Sequence, residues 1–134
     1  MDRAINTSSG PGRGINWGWR VLEGSHCYKP PSGCNRSGKT MPVTEYKHTA
    51  DNGRCSITGG YVYRGNDIPA LVGGYLFADY CTGEIFVVNS TAPIGSSRTL
   101  LLNTGATISS FGERPNGELF VVDRGGRIYS IVQG

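Results

Sequence analysis

The sequence lacks a long apolar run, so no segment of it reads as a membrane-spanning helix. Charge is also sparse, with Asp, Glu, Lys and Arg making up 17% of 134 residues. The net charge of +3 comes from basic residues scattered from Arg3, Arg13 and Arg20 through Lys29, Arg36, Lys39, Lys47 and Arg54 onward. They form no block and no helical stripe, which excludes the electrostatic footprint of a nucleic-acid-binding protein. There is no Cys-x-x-Cys pair, no metal-binding histidine pair and no Gly-x-Ser-x-Gly elbow. A zinc site and a serine hydrolase therefore have no motif to rest on. The acids Asp67, Asp79, Glu84, Glu113, Glu118 and Asp123 fall mostly at strand ends or turns, where solvation is the expectation.

Helix formers dominate no stretch, and glycine is abundant at 21 residues. Glycine loses much backbone entropy in a helix and suits turns, so the composition points to an all-β chain of short strands. Apolar residues, at 37%, are ordinary for a folded domain.

Cys27, Cys34, Cys55 and Cys81 form an even set. Three pairings are open. Cys27–Cys34 with Cys55–Cys81 is favoured because it staples neighbouring loops without crossing; four reduced, buried cysteines is the alternative. Paired cysteines imply an oxidising compartment, secreted or periplasmic, for the parent protein. The opening Met-Asp-Arg-Ala-Ile-Asn carries no apolar segment and does not read as a signal peptide. The two observations together suggest a truncated or rearranged gene product. Three Asn-x-Ser/Thr triplets, at Asn6, Asn35 and Asn89, carry little weight in Ser/Thr-rich loops.

A repeat organises the second half. Gly74-Tyr-Leu-Phe-Ala-Asp-Tyr-Cys-Thr-Gly-Glu-Ile-Phe-Val-Val lies without a gap on Gly117-Glu-Leu-Phe-Val-Val-Asp-Arg-Gly-Gly-Arg-Ile-Tyr-Ser-Ile, at an offset of 43 residues. Leu76 meets Leu119, Phe77 meets Phe120, Gly83 meets Gly126 and Ile85 meets Ile128. Repeats of this length built from short strands are the mark of propeller blades. Hairpins are expected at Tyr75–Asp79 with Glu84–Val88 and at Glu118–Asp123 with Arg127–Val132. Ser56–Tyr63 and Ile108–Gly112 read as first strands, Arg98–Leu102 as an outer strand, and Val43–Lys47 as the outer strand of an earlier unit. Residues 1–14 read as an irregular segment and 15–134 as a partial propeller. Trp17 and Trp19 interrupt a long Gly/Pro-rich stretch, where core packing is the expectation for both rings.

Ile15-Asn-Trp-Gly-Trp-Arg20 with Glu23-Gly-Ser-His-Cys27, Pro42-Val-Thr-Glu-Tyr46, Ser56-Ile-Thr-Gly-Gly-Tyr-Val-Tyr-Arg-Gly65, Ile68-Pro-Ala-Leu71, Tyr75-Leu-Phe-Ala-Asp-Tyr-Cys81 and Ile108-Ser-Ser-Phe-Gly-Glu113 form an ordered series. The series resembles the C-terminal half of the glucose/sorbosone dehydrogenase-like proteins. The resemblance implies a six-bladed propeller of four-stranded blades, of which this chain supplies about three. It also implies an oxidoreductase family that uses pyrroloquinoline quinone and calcium to oxidise aldose sugars.

The family's catalytic histidine and calcium segment lie in the half this chain does not match, and neither His26 nor His48 corresponds to that histidine. No catalytic residue, metal ligand or cofactor is expected of this chain alone. Three family positions that hold cations against the quinone fall on Cys81, Thr107 and Ser109, which carry no charge; Arg54 and Arg64 remain as substitutes. A sugar remains the class of small ligand. The segment is similar also to the hedgehog-interacting proteins, cysteines included, which favours a non-catalytic extracellular binding or assembly module as the alternative. Three blades leave two faces and an edge strand open. A homodimer that completes the ring, or the missing half, is therefore the expected partner, with the Met1–Gly14 segment as a further cover for the Arg127–Val132 edge.

Overall fold

The computed structural model describes residues 6–7, 10–11, 14–48 and 52–134. Among them every strand pairing is antiparallel, and the one helical element is a short 3-10 turn at Pro69–Leu71. The chain is all-β. It divides into two compact units, Met1–Tyr46 with Ala92–Ser97, and Lys47–Thr91 with Arg98–Gly134.

The first unit holds two minimal hairpins. β1 (Asn6–Thr7) pairs with β2 (Gly10–Pro11), and β3 (Leu22–Glu23) pairs with β4 (His26–Cys27). The expected cover of the last strand by residues 1–14 and the side chain of Asn6 lie outside the described residues. Gly24 takes φ +57° in the tight turn between β3 and β4, a conformation that costs other residues a clash of Cβ with backbone. Cys27–Cys34 closes the loop that follows, with Cα atoms 5.6 Å apart. Trp19 does not pack in a core as expected: it is 71% exposed and stacks on Tyr28, ring centroids 5.2 Å apart, while Trp17 is half-buried. Val43–Lys47 forms no strand. Val43 and Thr44 are buried, and Glu45 turns back to serve the Gly24–Ser25 loop. A run that finds no neighbouring strand edge has no ladder to join.

The second unit is two meanders. β5 (Ile57–Val62), β6 (Gly74–Asp79), β7 (Glu84–Asn89) and β8 (Thr99–Asn103) pair in that order, as do β9 (Ile108–Glu113), β10 (Leu119–Asp123) and β11 (Arg127–Ser130). The other expected strands are present, most of them shifted by a residue or two at their ends. The first strands of the two sheets lie against each other, and the Thr58 hydroxyl donates to the Ile108 carbonyl at 2.9 Å. Period-two alternation puts Leu76, Ala78, Ile85, Ile108, Leu119 and Val121 into one core, with Tyr63 fully buried among them. Burying each large apolar side chain contributes roughly 1.5–3 kcal/mol. Tyr63, Leu119 and Val121 are core, and Tyr61 and Phe120 stand on the wetter side.

One feature of the repeat departs from the gapless overlay. Ala78 pairs with Ile85 across six residues, whereas the matching pair of the second hairpin, Val122 with Ile128, spans five. Tyr129, not Ile128, therefore stands opposite Val121 on the core side, and Ile128 is exposed.

Candidate functional site

Both hairpins of the second unit turn at the same end as the starts of β5 and β9. That end gathers Arg54, Cys55, Tyr80, Cys81, Thr107 and Arg124. Tyr80 N–H donates to the Ser56 carbonyl at 2.8 Å, and Arg124 N–H donates to the Thr107 carbonyl at 2.9 Å. The Arg124 guanidinium donates to the Tyr80 hydroxyl at 2.9 Å.

Beneath this rim, Asp79 is fully buried and organises two chain segments at once. One carboxylate oxygen accepts from the backbone N–H groups of Cys55 and Ser56 at 3.0 and 3.1 Å; the other accepts from those of Cys81 and Thr82 at 2.9 and 3.0 Å. The carboxylate thus fixes both ends of the Cys55–Cys81 disulfide, whose Cα atoms are 5.7 Å apart. Cys55, Asp79 and Cys81 lie close enough to suggest a metal site. Both sulfurs are bonded to each other and both carboxylate oxygens hold N–H donors, so the cluster is structural.

Glu84 is also buried, against the expectation of a solvated acid. It receives Nε and Nη2 of Arg54 at 2.6 and 2.7 Å and the Thr82 hydroxyl at 3.0 Å. The Arg54 bonds hold its carboxyl below the usual range, against burial, which raises it. Arg54 also lies 5.2 Å from the Phe86 ring centroid, with Arg98 5.0 Å from the same centroid.

Glu118 is the third buried acid. At the opposite end of the strands it accepts the Tyr63 hydroxyl at 2.6 Å and the N–H groups of Asn66 and Asp67 at 2.8 and 2.9 Å. The Tyr63 bond leads in lowering its carboxyl below the ordinary value, while burial, reinforced by the Glu118 bond, raises the Tyr63 phenol. The three acids share a signal visible only in retrospect. Each sits at a strand end; Asp79 and Glu118 accept backbone N–H groups that leave the ladder there, and Glu84 accepts the Arg54 guanidinium.

In the first unit, Glu45 accepts both the N–H and the hydroxyl of Ser25, and His26 Nε2 lies 3.5 Å from it. Burial raises the Glu45 carboxyl, but the Ser25 bonds and His26 outweigh it and the net direction is down. His26 and His48 are both exposed, and His48 lies outside any strand. Asn35 and Asn89 each fold back onto a backbone N–H two residues on.

Cys81, Thr107 and Ser109 lie at the same end of the sheets. They are nonetheless poor partners for a quinone carboxylate. Cys81 is tied into its disulfide, and the Ser109 hydroxyl donates to the Val122 carbonyl at 3.2 Å. Of the two substitutes, Arg54 is neutralised by Glu84. Arg64 lies beyond the other end of β5, 3.6 Å from Glu113. Arg124 is the cation that sequence reasoning missed, and one guanidinium does not replace three. The residues present do not fit the quinone.

HIPL1 protein of Arabidopsis thaliana is 31% identical to the chain over 151 residues, covering 90% of the chain and 22% of HIPL1. The chain is similar to the HIPL proteins. HIPL2 protein of the same plant is 43% identical over 74 residues, 49% of the chain and 11% of HIPL2. The chain thus spans about a fifth of the length of HIPL1 and about a tenth of that of HIPL2. No family model matches it, and no solved structure matches it significantly. Two disulfides are consistent with an extracellular setting.

Proposed function

We propose that the chain is part of a β-propeller of glucose/sorbosone dehydrogenase ancestry that serves in extracellular binding or assembly rather than redox catalysis. The observation that carries this reading is Cys81. The family position for a cation against the quinone is occupied by a sulfur locked to Cys55 and pinned by Asp79. Thr107 and Ser109 bring no charge to the other two positions, and an anionic cofactor needs fixed cations. Two meanders of one repeat, packed through their first strands, support the propeller architecture. Further blades come from a second copy or from the rest of a longer chain.

The test is dye-coupled oxidation of glucose and other aldoses by the purified protein with added pyrroloquinoline quinone and calcium. No rate above a heat-killed control is expected, and quinone-dependent turnover would overturn the reading. Native mass at low concentration addresses the ring. A dimer is expected, and a folded monomer would overturn completion by a second copy.

A further inference from the structure

The triplet Asn89-Ser90-Thr91 begins at the last residue of β7, at the end of the sheet away from the Cys55–Cys81 disulfide. Asn89 and Thr91 are both exposed. The Asn89 carboxamide oxygen accepts the Thr91 N–H at 2.8 Å and the Thr91 hydroxyl at 2.7 Å. A carboxamide carries oxygen and nitrogen on opposite sides of its carbon, so two donors that hold Oδ1 in the turn leave Nδ2 facing outward.

The surroundings of Asn89 leave room for a bulky group. Its ladder partner on β6 is Gly74, which has no side chain. On the other side the ladder to β8 ends at the Val87–Thr99 pair, before Asn89 is reached. Neither neighbouring strand sets a side chain beside it.

Asn35-Arg36-Ser37 has the same motif and a different setting. It is exposed, and among the described residues only the Ser37 N–H reaches Asn35 Oδ1, at 2.9 Å; the Ser37 hydroxyl does not. Asn35 also follows Cys34 directly, so closure of the Cys27–Cys34 disulfide competes for the same stretch of chain. The branched Cβ of Thr91 restricts its rotamer and holds the hydroxyl in place, which an unbranched serine does not.

We propose that Asn89 is the principal attachment site of an N-linked glycan, ahead of Asn35. Such triplets are the acceptors of that modification in secreted proteins, and the donor is an oligosaccharide carried on a lipid diphosphate. A bond forms between Asn89 Nδ2 and C1 of the oligosaccharide, and the C1–O bond to the carrier breaks. The lipid diphosphate leaves with the electron pair, and Nδ2 releases one proton. The assignment rests on the extracellular setting proposed above. A hydrophilic glycan there keeps the β7–β8 end of the sheet in water.

The test is expression of the full chain behind a secretion leader in a eukaryotic host. Occupancy is read by mass spectrometry after enzymatic release of glycans in heavy-oxygen water, which marks each occupied asparagine. Asn89 should be filled roughly twofold or more above Asn35. Asn89→Gln and Thr91→Ala should each remove the mark at position 89, and Thr91→Ser should keep part of it. The urea midpoint should be the same before and after release, since the site is open in the folded protein. Should a variant fail to be secreted, translation into microsomes gives the same occupancy readout without requiring the fold. An empty Asn89, filling of Asn35 equal to or above it, a mark that survives Thr91→Ala, or a midpoint lowered by the glycan would each overturn the proposal. The host supplies the compartment, so failure here is separate from the outcome of the dye-coupled assay.

Discussion

The Arg124 guanidinium donates to the Tyr80 hydroxyl at 2.9 Å, joining the turn after β10 to the turn after β6. Arg124 is exposed, so the bond competes with water. Tyr80→Phe and Arg124→Ala should each cost less than about 1 kcal/mol in urea unfolding, and the double variant should cost less than their sum. Additive losses would show that the two side chains do not interact in solution.

Three acids give the fold a pH limit. Glu45, Glu84 and Glu118 are all held below the ordinary carboxyl value of 4.5. Their contribution is complete above that value and is lost as pH falls through the lower folded values. Tyr63 is raised above the ordinary 10.0, so stability falls again as pH climbs past 10.0. The urea midpoint should therefore be flat between these limits and decline on both sides. Glu118→Gln should lower the plateau and shallow the acid limb; an unchanged acid limb would remove Glu118 from the account.

Thiol titration of the unreduced, denatured protein should find no free thiol, since both disulfides are formed. Replacing Cys55 and Cys81 together by serine should cost about 3 kcal/mol, from the 26-residue separation they close. Asp79→Ala leaves four backbone N–H groups without their acceptor and should cost on the order of 3 kcal/mol even with the disulfide intact. A loss under about 1 kcal/mol would mean that water replaces the carboxylate.

Neighbouring glycines in β5 should respond differently. A Cβ on Gly60 would collide with the Leu76 carbonyl on the adjacent strand, whereas one on Gly59 would sit 3.4 Å from the Tyr75 hydroxyl. Gly60→Ala should destabilise by about 1–3 kcal/mol and Gly59→Ala by much less. Equal melting temperatures for the two variants would contradict the close approach at the bulge between Thr58 and Tyr61.

Much of the fold was legible because alternation and glycine turns are local signals. Tyr75 through Val88 and Glu118 through Val132 read as hairpins, and hairpins form there over Gly74–Asn89 and Leu119–Ser130. The cysteine pairing was legible for a similar reason, since each bridge joins loops that the strands already bring close. The buried acids were not. Asp79, Glu84 and Glu118 look like turn residues in one dimension, and only the fold shows which N–H groups converge on them. Val43–Lys47 misled because its β-branched start suits a strand, but neighbouring Val43 and Thr44 are both buried and Glu45 turns to Ser25, so the segment joins no ladder.

The three-residue turn at Arg124–Gly126 means that the two hairpins are not interchangeable parts, despite their matching sequence pattern. Grafting the Tyr80–Gly83 turn into the second would insert one residue, carry Ile128 to the inward row and push Tyr129 out. In a repeated unit, then, loop length acts as a reading frame: one residue gained or lost reassigns a whole strand's side chains.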